Sequence, residues 1–227
     1  MRLEQAKRDY YRRKAREEGY RSRAAFKLKQ INSKYHLISL GHTVVDMGSA
    51  PGGWLEVSSE IVGSKGIVIG IDLIPVRPVA PNVKIIQYDI TSEEFPSKLK
   101  EIIGERKADC VLADLSPKLS GVWDLDQFKQ MELCHRVADL LPEVLKAGGS
   151  CVMKVFQGKD MESLRNRLRT AFSRLDVSKP DASRKESSEI YMIALGFSGQ
   201  VARRSSQDAQ EERQSEQLLD SSGFVQP

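Results

Sequence analysis

The sequence predicts an α/β fold, an open and mostly parallel sheet with helices on both faces and an antiparallel hairpin at one edge. Short runs rich in Val and Ile alternate with helical stretches, the βαβ order that produces parallel strands. The first of these runs, residues 43–47, passes straight into a glycine turn, Gly48-Ser49-Ala50-Pro51-Gly52-Gly53, that opens a helix. Two late strand candidates, residues 175–177 and 190–195, are separated only by a loop and so pair antiparallel, a common way for a parallel sheet to end.

Taken in order, residues 4–18 contain neither Pro nor Gly, and residues 22–34 place Ala25, Phe26, Leu28 and Ile31 at partly helical spacing, so two basic helices are expected. Strand 43–47 and the helix after Gly52 follow, then strands 66–72 and 83–88. A helix begins near Pro96, a strand covers 108–113, and a long helix runs from about 125 to 146, closed by Gly148-Gly149. Strand 150–156 and helix 161–172 lead into the hairpin, whose loop, 178–189, carries Lys179, Arg184 and Lys185 beside Pro180 and several serines. With 227 residues, 40% of them hydrophobic, one well-buried core is expected rather than two. Residues 1–36 read as a helical arm, 37–197 as the main domain, and 198–227, rich in Gln, Ser, Glu and Asp, as a disordered tail.

The net charge of +4 is unevenly spread. Residues 1–34 hold twelve Lys/Arg against four Asp/Glu, a surplus of +8 that leaves −4 for the rest of the chain. Tyr10, Tyr11, Tyr20 and Phe26 are interleaved with these cations, a composition suited to a phosphate backbone with unstacked bases nearby. A solvated surface helix is the competing reading. Cys110, Cys134 and Cys151 lie in apolar runs without C-x-x-C spacing, so they are expected as reduced core thiols, with no metal site. No apolar run reaches the roughly 18 residues of a membrane span, and the first residues open no signal-peptide core, so a soluble cytoplasmic protein is expected.

The glycine turn marks a nucleotide-type pocket, because Gly52 and Gly53 let a ligand approach the main chain and the helix start offers unpaired N–H groups. The glycines read G-x-x-x-G-G, with Ala50 where a dinucleotide fingerprint has its middle glycine, which argues against NAD and FAD. No P-loop Gly-Lys-Ser/Thr is present. Asp72 closes the second strand, twenty residues after Gly52, where a carboxylate can accept from ribose hydroxyls. Asp89 closes the third and can accept from an adenine amino group. Either Asp alone is commonly a turn or cap residue. S-adenosylmethionine fits best, since it is an adenosine without phosphates and its sulfonium suits a pocket lined by Asp46, Asp72, Asp89 and Asp114. Trp54 either packs beside this cofactor or lies in the core. Lys154 ends an apolar strand where an unpaired ammonium is expensive to bury.

Four further stretches are unusually polar: Arg21-Ser22-Arg23-Ala24-Ala25-Phe26-Lys27-Leu28, Leu112-Ala113-Asp114-Leu115-Ser116-Pro117, Met153-Lys154-Val155-Phe156-Gln157-Gly158, and Ser183 through Tyr191. Together with the Ala-Pro-Gly-Gly-Trp turn they resemble the FtsJ/RrmJ-type RNA ribose 2′-O-methyltransferase family over about residues 5–197. The resemblance implies a Rossmann-like, S-adenosylmethionine-dependent methyltransferase sheet. It implies a catalytic tetrad of Lys27, Asp114, Lys154 and Glu189, and cofactor contacts at Gly52, Trp54, Asp72, Asp89 and Asp114. The implied substrate is ribosomal RNA, a uridine of the large subunit, and a monomeric enzyme is expected. Transfer RNA is the rival within the class, and a non-catalytic ribosome-assembly factor or a nicotinamide oxidoreductase the rivals outside it. Lys118 stands where many family members have Asn and is left out of the expected site. To act as base, Lys154 would need its pKa brought down from the ordinary value of about 10.4. Alternatively, it stays charged and orients the hydroxyl.

Overall fold

The computed structural model describes residues 2–158, 161–184 and 186–203, with side chains described from Tyr10 onward. Two helices, α1 (Arg2–Glu17) and α2 (Ala24–Tyr35), precede β1 (Thr43–Met47), α3 (Gly53–Val62), β2 (Ile67–Asp72) and β3 (Val83–Gln87). Next come α4 (Phe95–Ile103), β4 (Ala108–Ala113), α5 (Trp123–Val144), β5 (Leu145–Phe156), α6 (Met161–Ala171), β6 (Phe172–Ser178) and β7 (Glu189–Phe197). The seven strands form one sheet in the order β3-β2-β1-β4-β5-β7-β6. Strands β1 to β5 are mutually parallel, and β7 runs antiparallel to both its neighbours. The expected antiparallel hairpin is present, but its later strand takes the inner place and leaves β6 at the edge.

Alternation along the strands sorts side chains onto two faces. Val45 and Met47 of β1, Val111 of β4, Met153 and Val155 of β5 and Met192 of β7 join one core with α4, α5 and α6. Val44, Leu112, Val152, Tyr191 and Ile193 point the other way, into a core closed by α2 and α3. Lys154 and Glu189 share the parity of Val152 and Tyr191, so the sheet itself turns both charged residues toward α2.

Two boundaries differ from the sequence reading. Helix α5 starts at Trp123 and stops at Val144, because the fully buried Leu145 already pairs with Ala108 in the sheet. The register then slips, Cys110 facing Ser150, with Gly148 at φ +78° inside the irregularity. The basic loop residue Lys185 and tail residues 204–227 lie outside the described residues. All three cysteines are free and buried, and burial pushes the Cys134 and Cys151 thiols up to about 12. Among the described residues, no helix is long and apolar enough to cross a membrane, and no group of three His, Cys, Asp or Glu side chains is placed to hold a metal ion.

The N-terminal helices are tied to the glycine turn. Trp54 Nε1 donates to the carbonyl of Ala24 at 2.8 Å, and its ring lies 5.7 Å from that of Tyr191. A Cβ added at Gly53 would stand 2.4 Å from Ser22 Oγ, a hydroxyl that is buried without a hydrogen-bond partner among the described residues. We therefore expect Gly53→Ala to destabilise the fold by about 1–3 kcal/mol, the usual cost of overpacking. The loss should shrink in a Ser22→Ala background, where only an ordinary carbon contact is left at the clash. Urea unfolding of the two single variants and the double variant checks this; additive losses would place the strain elsewhere.

Candidate active site

The turn after β1 depends on backbone angles that favour glycine. Gly48 has φ +83°, and a Cβ there would meet Leu115 at 2.9 Å; Gly52 has φ +112° and lies against the Arg21 side chain. Arg21 fastens this region. Its Nε pairs with Glu56 of α3 at 3.0 Å, its backbone N–H donates to the same carboxylate, and its guanidinium donates to the carbonyls of Arg77 and Pro78.

Beyond the carboxyl ends of β1 to β4 opens a cavity of about 710 Å³, within the range of small-molecule sites. Its wall includes Gly48, Ala50, Asp72, Asp89 and Asp114, with Ile71, Ile90, Leu115 and Phe128 among its apolar members. Asp72 accepts from Ala50 N–H at 2.7 Å and from Ile74 N–H at 2.9 Å, so the carboxylate also braces the turn. Asp89 Oδ1 accepts from the N–H and the hydroxyl of Thr91, the turn role its residue type suggests, while remaining on the cavity wall. Lys118, set aside on the sequence, lines this cavity as well. Gly52, Gly53 and Trp54 are not among the lining residues. Their far side packs on Arg21, Ser22 and Ala24, and what they offer toward a ligand is the start of α3, where the first N–H groups have no intrahelical acceptor.

Asp46 corrects one expectation. It is fully buried and is not on the cavity wall, and neither carboxylate oxygen has a hydrogen-bond partner among the described residues. Burial first, then the charges of Asp114 and Asp72, push its carboxyl well above the usual range.

The four tetrad residues do converge. Lys27 Nζ donates to Tyr191 Oη at 2.9 Å and reaches Glu189 Oε2 at 3.5 Å. Tyr191 Oη donates to Asp114 Oδ1 at 3.0 Å. Lys154 Nζ lies 3.3 Å from the same carboxylate oxygen and donates to the Asp114 carbonyl at 3.0 Å. Register explains the meeting: Lys154 pairs with Tyr191 and Phe156 with Glu189 across β5 and β7, while Asp114 follows the last residue of β4. Lys27 and Lys154 are only 6% and 5% exposed. Burial raises the pKa of Glu189, but the charges of Lys27 and Lys154 outweigh it and hold the carboxyl below its ordinary value. Burial, then Asp114 and Glu189, keep the Tyr191 phenol well above its ordinary range, so it remains a donor. Sequence reasoning missed Tyr191 as the link between the lysines, although it lies two residues from Glu189 on the same strand face.

An open sheet with this strand order, and a carboxylate-lined cavity at its switch point, form a site suited to an adenosine-type ligand. Residues 20–197 match the FtsJ-like methyltransferase family, and the chain belongs to it. It is 46% identical over 198 residues to the ribosomal RNA large subunit methyltransferase E of Methanocaldococcus jannaschii, covering 86% of this chain and 81% of that one. It is 42% identical to the protein of the same name from Nitrosopumilus maritimus, covering 88% of this chain and all of the relative. Among solved structures, a ribosomal RNA methyltransferase from Plasmodium falciparum superposes with a TM-score of 0.72 at 30% identity, covering 80% of this chain and 100% of that one. Aeropyrum pernix fibrillarin with bound S-adenosylmethionine shares the fold, with a TM-score of 0.54 at 16% identity over 76% of this chain and 73% of its own.

The raised pKa of Asp46 has a consequence for stability. The folded chain holds the carboxyl proton more tightly than the unfolded chain, where Asp titrates near about 3.9. The advantage of the wild type over Asp46→Asn is therefore complete below that value and is lost as pH rises toward the folded pKa. Urea unfolding between about pH 5 and pH 7 should show the gap moving against the wild type by up to about 1.4 kcal/mol per pH unit. A gap that ignores pH would mean that Asp46 is ionised in the fold.

Proposed function

We propose that this protein transfers the methyl group of S-adenosylmethionine to a ribose 2′-hydroxyl of ribosomal RNA, a uridine in the large subunit, acting as a cytoplasmic monomer. One observation carries the reading. Asp114 belongs to both halves of the site, lining the cavity while accepting from Tyr191 and pairing with Lys154. A methyl donor in the cavity and an acceptor hydroxyl beside the lysines would thus meet across a single side chain. The names of the relatives supply the RNA class.

In this reading, Asp72 and Asp89 would hold the adenosine hydroxyls and the base edge, and the start of α3 at Gly53 and Trp54 would hold the amino-acid end. The cofactor supplies an electrophilic methyl on sulfur. The acceptor 2′-hydroxyl would take that methyl group and give up its proton, leaving the donor as a neutral thioether. Lys154, fixed by the Asp114 carboxylate and carbonyl, orients the hydroxyl and receives the proton when neutral. Lys27 and Glu189 complete the polar wall that aligns the ribose.

Methyl-labelled cofactor offered with unmodified large subunits, their naked RNA and transfer RNA tests both reaction and target. We expect ribose label on large-subunit RNA, and a loss of about 10²–10⁴ in rate for Lys154→Ala at nearly unchanged RNA affinity. Label on transfer RNA alone would overturn the target, and equal loss of rate and affinity would favour a binding scaffold over an enzyme. RNA affinity should also fall with salt, with a log–log slope of about −0.7 to −0.9 for each phosphate contacted. A flat dependence in filter binding would remove the basic helices from the interface.

A further inference from the structure

A second concavity, of about 560 Å³, lies between α1 and α2, away from the methyl-donor cavity. Tyr10, Tyr11 and Lys14 of α1 and Phe26, Lys29 and Lys34 of α2 contribute to its lining. The rings are arranged in series, Tyr10 to Tyr11 at 5.2 Å and Tyr11 to Phe26 at 5.5 Å between centroids. Phe26 is buried, whereas the Tyr10 side of the groove is open, that residue being 44% exposed. Lys14 Nζ stands 5.1 Å from the Phe26 ring centre and Lys29 Nζ 5.7 Å from it. One acid, Glu18, is shared between these two lysines at 3.7 and 3.4 Å, so three cations against one anion leave the lining positive.

We infer that this groove is a nucleotide-binding subsite that takes an unpaired base of the RNA substrate, flanking the target ribose, with its phosphates on Lys14, Lys29 and Lys34. The inference rests on the RNA reading above and extends it to residues outside the methyl-transfer site. Aromatic faces bordered by lysines suit single-stranded nucleic acid, because every base has a face to stack and every linkage a negative charge. An acidic peptide could satisfy the lysines but would leave the exposed Tyr10 face without a stacking partner.

The groove is also wired to the active site. Phe26 and Lys27 are consecutive on α2, so one turn of helix presents a ring to the groove and an ammonium to the tetrad. Gln30 donates to Tyr11 Oη at 2.9 Å and accepts from Ala182 N–H at 3.2 Å, joining α1, α2 and the segment between β6 and β7 that leads to Glu189. Ala182 packs with Ala15 and Phe26. A nucleotide seated here would fix the approach of the strand across α2 to the tetrad.

The test uses the full chain, a short single-stranded RNA carrying 2-aminopurine, the same RNA as a duplex, and polyglutamate. Tyr10→Ala should weaken single-stranded RNA binding roughly tenfold, within the range of lost base stacking. Tyr10→Phe should retain affinity and 2-aminopurine quenching, and cofactor affinity should be unchanged in both variants. Unchanged RNA binding in Tyr10→Ala, an equal loss in Tyr10→Phe, or equal or tighter binding of the duplex or of polyglutamate would each overturn the subsite. Methyl transfer by the wild type is scored separately, so failure of the transferase reading shows as absent label even where the stacking result holds.

Discussion

Two ammonium groups withdrawn from water set the terms for this structure. Lys27 and Lys154 are almost wholly buried, and an unpaired buried ion costs several kcal/mol even after the protein relaxes. Each therefore needs anionic or hydroxyl partners within reach, and those partners come from two distant parts of the chain: Asp114 just after β4, and Glu189 and Tyr191 at the start of β7. The antiparallel insertion of β7 is what makes the pairing possible. Running opposite to β5, it begins at the same sheet end where β5 finishes, so Glu189 and Tyr191 arrive beside Lys154 rather than at the far edge. The topology of the sheet and the electrostatics of the site are one constraint.

Helix α2 satisfies a second demand at the same time. Ala25, Leu28 and Ile31 are fully or almost fully buried in the core shared with β1, β4 and β7, each larger side chain contributing about 1.5–3 kcal/mol of apolar burial. That packing holds Lys27 in place, and the Trp54 indole bond to Ala24 locks the helix to the turn that walls the cavity. Glycine at position 53 is required by this contact with Ser22 as much as by any ligand. The basic surface and the glycine turn, which look independent along the sequence, thus move as one body.

Much of this was legible before any coordinates. Alternation of Val/Ile runs with helical segments specified the strands, because a strand covered on both faces, in a sheet that separates two cores, is apolar almost throughout. Lys154 was marked by its apolar strand and Asp114 by its place after one, but the set of four was readable only through family resemblance, since Lys27 on a helix full of cations has nothing local to mark it. What escaped the sequence were relations made by register. Tyr191 links Lys27 to Asp114 because β7 pairs with β5 at one offset, and no pattern within β7 encodes that offset. Asp46 shares the acidic character of the other strand-end acids but lies inside β1, where every residue from Val44 to Met47 is buried, two residues before the cavity-lining Gly48. Lys118 was set aside for departing from a pattern, yet the chain after β4 carries it to the cavity wall.

Charge is segregated around Asp114. On the cavity side, Asp72, Asp89, Asp114 and Glu132 outnumber Lys118, Lys129 and Arg136 by one, a balance that admits a positive sulfonium, while residues 1–34 bear the +8 surplus suited to a polyanion. Reversing either sign would repel the ligand whose place it lines. Asp114 is the only acidic residue common to the described cavity and the tetrad, and its carboxylate is shared between a tyrosine hydroxyl and a lysine. In the proposed reaction the donor's sulfur would become neutral as the methyl group leaves, and the attraction of Asp72, Asp89 and Asp114 for it would weaken.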